Sequence, residues 1–348
     1  MKNLLTVLSL VIVASPAFAS RARLESLGEG KNGSYYINDS RNMFLNPASI
    51  VKHKKKLMIE LGNTISNTST ADSSALSSAQ GGFTNTFGDF TYAVYLNNYS
   101  DTMAAAAAAG GLSPQNAVEV QFAGEGAVNW GIGLTTAGNK QAAGTSSYLG
   151  TRIGVEKDNL AVFGTIGLSS KITVAGVDAL KGKTKIDAGA TYGMGDMTVF
   201  GKFATSTNEV ATVEVGSTSF GAGLGWNKEM TKSTHMFTRL EAGYATAKTA
   251  GATTSQSYSV PVVLGAETQA LSWLAIRGSL THGLFGQTLN GAGATTTAGQ
   301  TFFGAGLGMT FGDVTIDGLV ANGGAGATAD DFGFGSDMIS RIGLTYNF

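Results

Sequence analysis

The sequence predicts an all-β fold: a transmembrane antiparallel β-barrel of about sixteen strands, with fourteen also compatible, carrying short periplasmic turns and longer external loops. Three observations lead there. Ile342, Leu344, Tyr346 and Phe348 alternate with Arg341, Gly343, Thr345 and Asn347, and similar alternation recurs along most of the chain. A period of two marks a strand with unlike environments on its two faces. Short and long connections also alternate. Finally, the chain opens with Lys2-Asn3, an apolar core from Leu4 to Ala14, and an Ala17-Phe18-Ala19 cleavage pattern. That reads as a signal peptide over residues 1–19, with the mature chain starting at Ser20.

Composition agrees. Charged residues make up 14% of the 348, against 49 Gly and 4 Pro. Soluble domains usually carry about 25% charge. No later run approaches the roughly 18 apolar residues of a spanning helix. Only a closed barrel then pairs every backbone group inside lipid. With no Cys, neither a disulfide nor a lipid-anchoring thiol is expected. The 23 basic and 24 acidic residues give net −1, and −2 once Lys2 leaves with the signal, so nucleic acid is excluded as a partner.

The division expected is a signal at 1–19, a periplasmic or lumenal N-terminal segment at 20–55, and the barrel at 56–348. The first strand is placed at 56–65, where Leu57, Ile59 and Leu61 share a face. The next seven are 80–87, 89–98, 116–123, 127–137, 145–156, 159–170 and 183–193. Then follow 196–206, 215–227, 233–247, 256–268, 271–285, 299–311, 313–321 and 338–348. Tight turns fall at Gly88-Asp89, Gly124-Glu125-Gly126, Lys157-Asp158, Gly195-Asp196, Thr268-Gln269-Ala270 and Gly312-Asp313. Long loops are expected at 66–79, 99–115, 138–144, 171–182, 207–214, 248–255, 286–298 and 322–337.

Parity separates two faces. Val118, Val120, Phe122, Trp130, Ile132, Leu134, Leu160, Val162, Ile166, Leu168, Leu274, Ile276, Leu280, Phe303, Leu307, Met309 and Phe311 read as lipid-facing. Glu60, Glu119, Arg152, Glu156, Lys185, Asp187, Lys202, Arg239, Glu241, Glu267, Arg277, Asp317 and Arg341 fall on the opposite parity and read as pore-lining. Lys or Arg facing lipid at the midplane costs about 2–4 kcal/mol, which enforces this segregation. Aromatics gather at strand ends: Phe87, Phe90, Trp130, Trp226, Phe311 and Phe348 at the turn rim, Tyr148, Tyr244, Tyr258 and Phe285 at the loop rim. Trp273 breaks the pattern by sharing the parity of Arg277. Tyr346 and Phe348 also resemble the terminal signal read by the outer-membrane assembly machinery.

Sixteen strands enclose an aqueous channel. With both signs on its wall, a weakly selective pore is expected, the Arg set opposing Glu156, Glu241 and Asp317. The same charges also suit wall ion pairs that only rigidify the barrel. Ser100-Asp101-Thr102, then Met103 and Ala104 to Ala109 before Gly110, make a credible short helix. Folded inward it constricts the pore; folded outward it is an ordinary loop. Lys52-His53-Lys54-Lys55-Lys56 is a basic run at the periplasmic entrance, read as a solvated rim or a lure for anions.

The barrel pattern resembles bacterial outer-membrane porins. In the segment Ser34 to Ile50, the tripeptide Asn46-Pro47-Ala48 resembles the N-terminal hatch of FadL-type outer-membrane transporters. That resemblance implies a lumenal plug and uptake of hydrophobic solutes. FadL-type barrels, however, have fewer strands, longer chains and greasier loops. Asn46 before Pro47 equally suits a plain turn that anchors the segment.

Enzymatic chemistry fits poorly. His53, His235 and His282 are scattered, and no nucleophile–base spacing is legible. Asp330-Asp331 and Asp337 read as an acidic loop, not a metal site. Gly221 to Gly225 and Gly304 to Gly308 lack a following helix and so a phosphate-loop context. No metal or cofactor is expected. The expected function is an outer-membrane porin passing small hydrophilic solutes and ions. A FadL-like carrier and a structural or adhesive barrel are the alternatives. Expected partners are outer-membrane lipid and lipopolysaccharide, the assembly machinery and small solutes, with a homotrimer as the assembly common among sixteen-stranded pores.

Overall fold

The computed structural model describes residues 20–64, 79–98, 116–142, 144–210, 212–251, 254–290, 293–296, 299, 301–322 and 338–348. The expected signal at 1–19 and nearly all of the expected loops 66–79, 99–115 and 322–337 lie outside them, and with them the expected constriction residues Met103, Ala104 and Ala109. Among the described residues, no helix is long and apolar enough to cross a membrane.

Among the described residues, seventeen strands form one antiparallel sheet, each paired with a sequence neighbour: β1 (Lys56–Thr64), β2 (Gln80–Phe87), β3 (Phe90–Leu96), β4 (Val118–Gly124), β5 (Asn129–Gln141), β6 (Gly144–Lys157) and so on through β10 (Val213–Thr231) to β17 (Met338–Asn347). β14 (Gly293–Thr296) and β15 (Thr301–Phe311) pair with β13 (Leu274–Asn290) in one continuous register, so they make a single stave. The sheet closes where β1 pairs with β17, from Lys56 opposite Asn347 to Thr64 opposite Ile339. The result is a closed, sixteen-stave, up-and-down barrel without a free edge.

The turn rim has two-residue connections at Gly88-Asp89, Asp158-Asn159, Gly195-Asp196, Lys232-Ser233, Ser272-Trp273 and Gly312-Asp313. Two expected turns move. Asp158, at φ +52, takes a left-handed position, shifting the turn to Asp158-Asn159. β12 (Ser255–Leu271) runs through Thr268-Gln269-Ala270, with an irregularity between Gln269 and Leu271, and turns only at Ser272. Trp273 therefore lies in a turn, its ring 5.9 Å from Phe311, which explains its broken parity.

At the opposite rim the expected loops 138–144, 171–182 and 207–214 are mostly paired strand. β7 (Leu160–Val174) and β8 (Val177–Met194) meet at Ala175-Gly176, both at positive φ as a tight hairpin turn demands. Ile172 and Leu180 pack together there, with Val174, Ala179 and Val210 against them. Those apolar residues alternate among Lys and Thr, a signal that composition alone reads as loop. The barrel wall is therefore uneven: β8 and β10 have 18 and 19 residues, whereas β2, β3 and β4 have 8, 7 and 7.

The outer face carries exposed Leu61, Phe122, Ile132, Leu134, Leu168, Leu284, Leu307 and Ile342. One girdle assignment is corrected: Tyr148 is buried beside Ala117 and Ala137 and does not belong to the outer face. A sixteen-stave wall is too wide for its own side chains to fill. Residues 20–55 occupy the interior instead.

That segment is a chain of small knots. Ser20 caps the one-and-a-half-turn helix α1 (Arg21–Ser26), its Oγ accepting from the Arg23 amide at 3.0 Å. Ser34 Oγ accepts from the Ile37 amide at 3.1 Å. Asp39 caps the 3-10 turn Ser40–Phe44, and Asn46 caps a second, Pro47–Lys52, accepting from the Ala48 amide at 3.0 Å. Such side chains supply the acceptors that short helices lack at their N-termini. The wall makes room with inward glycines. A Cβ on Gly225 would meet the Tyr36 side chain at 2.2 Å, and one on Gly131 would meet the Ala48 backbone at 2.4 Å. Gly225→Val should therefore unseat Tyr36 and hasten protease cleavage within residues 20–55. Gly318→Ala, whose Cβ has nothing within 4 Å, should not.

Candidate functional site: the plugged lumen

Each charge that parity assigns to the inner face has a definite place. Around most of the circumference these charges hold the N-terminal segment. Asp317 accepts from Ser20 Oγ at 2.8 Å and pairs with Arg277. Glu267 sits between Arg23, at 2.9 Å, and Arg277. Arg341 pairs with Glu25. Glu60 accepts from the Arg21 amide at 2.8 Å and from Arg41 at 3.2 Å. Arg239 binds Glu29 at 3.0 Å. Glu119 pairs with Arg152 at 2.8 Å, and Arg152 donates to the Phe44 carbonyl. Glu156 pairs with Lys52. Around these contacts the segment closes the lumen, and both Arg277 and Asp317 have side chains no more than 1% exposed.

The plug residues carry the complementary half of the network, and parity could not find them because they lie outside the strands. Arg23 bridges Asp39 at 2.8 Å and Glu267. Burial opposes its charge, but Glu267 and Asp39 outweigh that and hold its pKa above the ordinary value. Burial pushes the Asp39 carboxyl up, against the pull of Arg23. Arg41 also donates to Tyr95 Oη at 3.1 Å and Asn98 at 3.3 Å, and lies 4.5 Å from the Phe44 ring centroid. Its guanidinium fork suits donation to several acceptors at once.

Asn46, Pro47 and Ala48 begin the second 3-10 turn and pack on inward Gly131 and Gly154. The basic run is less solvated than expected. Lys54 pairs with Glu125 at the rim, but His53 is buried, and Thr84 donates to its carbonyl. Tyr346 and Phe348 lie on the outer face, their rings 6.1 Å apart, and the Phe348 amide donates to the Lys55 carbonyl at 3.0 Å.

One side of the lumen differs. Between the 31–36 stretch and strands β6 to β9 lies a cavity of about 250 Å³. Asn32, Tyr35, Arg152, Thr165, Lys185, Asp187 and Lys202 are among its lining. The Asp187 and Lys202 side chains are 43% and 41% exposed, in contrast to the sealed pairs. Lys185 backs Asp187 at 3.3 Å, and Glu241 backs Lys202 at 2.5 Å. The Tyr35 ring lies 5.0 Å from Phe200 and 5.8 Å from Phe163, forming an aromatic wedge. Neither Phe was singled out in the sequence; only their parity, opposite to Val162 and Val199, marks them as inward. Among the described residues, no group of His, Cys, Asp and Glu is arranged to hold a metal.

No protein-family model matches the chain, and no curated protein matches it. Solved structures do. A bacterial polysaccharide outer membrane secretin is 9% identical over 85% of this chain and 98% of its own, at a TM-score of 0.43. OmpT, an outer membrane protein of Vibrio cholerae, is 12% identical over 84% and 96%, at 0.40. A mutant porin of Rh. blastica is 10% identical over 84% and 99%, at 0.36. Function has to be read from the chain's own geometry.

Two outcomes follow from the plug contacts. Arg41→Met leaves Glu60 buried without its charged partner, a loss of about 3–5 kcal/mol. Protease sensitivity of residues 20–55 should rise while the barrel stays folded. The second outcome concerns pH. Burial first, then Lys56 and Lys52, lower the His53 imidazole from 6.5 to about 3. Docked, it stays neutral; released, it takes up a proton near pH 6.5. Its contribution to docking is complete above pH 6.5 and weakens by about 1.4 kcal/mol per unit as pH falls toward 3. Hydrogen-exchange protection of 47–53 should fall on acidification from pH 7 to 5, and His53→Gln should remove that dependence.

Proposed function

We propose that the protein is an outer-membrane barrel through which small polar solutes diffuse along one wet side of an otherwise plugged lumen. The observation that carries this reading is the two-sidedness of the interior. Ion pairs seal residues 20–55 against most staves, while exposed charge lines a cavity beside β6 to β9. Water and small solutes follow the hydrated side, because crossing the sealed side means breaking several buried pairs. The apolar outer face and the secretory pattern at 1–19 support an outer-membrane address. The charged cavity lining supports polar cargo over hydrophobic cargo, since an apolar solute would strip water from Asp187 and Lys202 without replacing it.

Tyr35 stands in the lining of this route, its ring beside Phe163 and Phe200. In planar bilayers the purified protein should give small, steady conductance steps. Tyr35→Ala removes the wedge between Phe163 and Phe200 and should raise the conductance several-fold. Silence from both proteins, correctly folded, would sink the diffusion reading and leave a structural barrel.

A further inference from the structure

The cavity beside the plug has a charge arrangement that goes beyond general polarity. Asp187 on β8 lies opposite Ala204 on β9 (Met197–Val210), and Lys202 lies opposite Gly189. Asp187 and Lys202 are thus diagonal neighbours on the inward face, about 7–8 Å apart along the diagonal. At that spacing, opposite charges on adjacent strands usually turn to each other. Here each turns to a different partner: Asp187 to Lys185, and Lys202 to Glu241. Those partners are the less exposed members, at 16% and 10%, so Asp187 and Lys202 present their free surfaces to the cavity.

We propose that this cavity is a selectivity site for small zwitterions of the α-amino-acid type, with Asp187 receiving the ammonium group and Lys202 the carboxylate. The inference rests on the diffusion reading and adds a substrate class to it. An α-amino acid carries its ammonium and carboxylate groups on one carbon, a spacing that suits opposite charges on diagonal neighbours such as Asp187 and Lys202. A simple anion gains Lys202 but meets Asp187; a simple cation gains Asp187 but meets Lys202. A neutral polyol gains neither charge-assisted contact, each of which is about twice as strong as a neutral hydrogen bond. Thr165 and Asn32 line the same space and offer polar groups to a short side chain. The volume of about 250 Å³ lies below the range that holds drug-sized ligands, which limits the solute to a few carbons. Because the two charges stay hydrated, binding is weak, as a diffusion route requires.

Proteoliposome swelling tests this with four solutes of similar size: L-serine, its anionic counterpart glycerate, its cationic counterpart serinol, and uncharged erythritol. The wild-type protein should admit serine several-fold faster than erythritol. In D187N the preference should pass to glycerate, and in K202Q to serinol; in the double variant the serine-to-erythritol ratio should fall to about one. Retention of the serine preference in the folded double variant would overturn the proposal, as would a wild-type preference for glycerate or serinol. Failure of erythritol itself to enter wild-type vesicles would overturn the diffusion reading, and the zwitterion site with it. Entry of erythritol without serine preference overturns the site alone.

Discussion

Closure of the sheet is the constraint from which the rest follows. Every stave pairs on both sides, and the seam between β1 and β17 removes the last edge. A closed sheet satisfies its backbone internally and frees the outer side chains to be wholly apolar. But closure also sets the circumference. Sixteen staves enclose more space than inward side chains fill, and that space has to hold either water or protein. Residues 20–55 supply the protein. Their seat combines apolar packing with charge: Leu24, Leu27, Tyr36 and Ile37 cluster with Phe237, Met43, Phe44, Ile50 and Val51 cluster with Met58, Ala93, Tyr95 and Ala123, and buried Arg–carboxylate pairs join segment to wall.

Buried pairs of this kind add little net stability over well-packed apolar groups of similar volume. Removing one member is costly, while replacing both with apolar groups is often neutral. The arrangement therefore fixes where the segment sits more firmly than it raises the stability of the whole. Sealing by pairs also explains the asymmetry of the lumen. Where plug and wall charges match, as at Arg23 with Glu267 or Glu25 with Arg341, no room remains. Where the 31–36 stretch faces β7 to β9, Tyr35 offers a ring instead of a charge, and Asp187 and Lys202 keep their water.

Much of the barrel was legible because its physics is local. Parity alone separated Leu134 from Arg152, since lipid and lumen punish the wrong choice along each strand. Short turns such as Gly195-Asp196 announced themselves through backbone conformation. The tall hairpins were missed because Ile172, Val174 and Leu180 alternate among Lys, Gly and Thr, and register beyond the bilayer is set by partner strands. The lumenal site was harder. Glu267 and Asp317 were recognisable as inward, but nothing near them in sequence reveals Arg23 or Ser20 as partners. Tyr35 between Phe163 and Phe200 is likewise a meeting of three distant segments.

The bond from Ser20 to Asp317 spans 297 positions, and the ion pair of Glu25 with Arg341 spans 316. Contacts so far apart in sequence slow folding, because chain closure costs entropy before the contact rewards it. Arg21 with Glu25 and Arg23 with Asp39 pair locally, but the contacts of Ser20 and Glu25 with the wall need the last strands in place. The barrel must either wrap around the segment as the seam closes or admit it afterwards through a rim. In the first case the segment acts as a template on which the final staves are gathered. The timing of closure, and not only the finished shape, is then written into Ser20, Arg23 and Glu25.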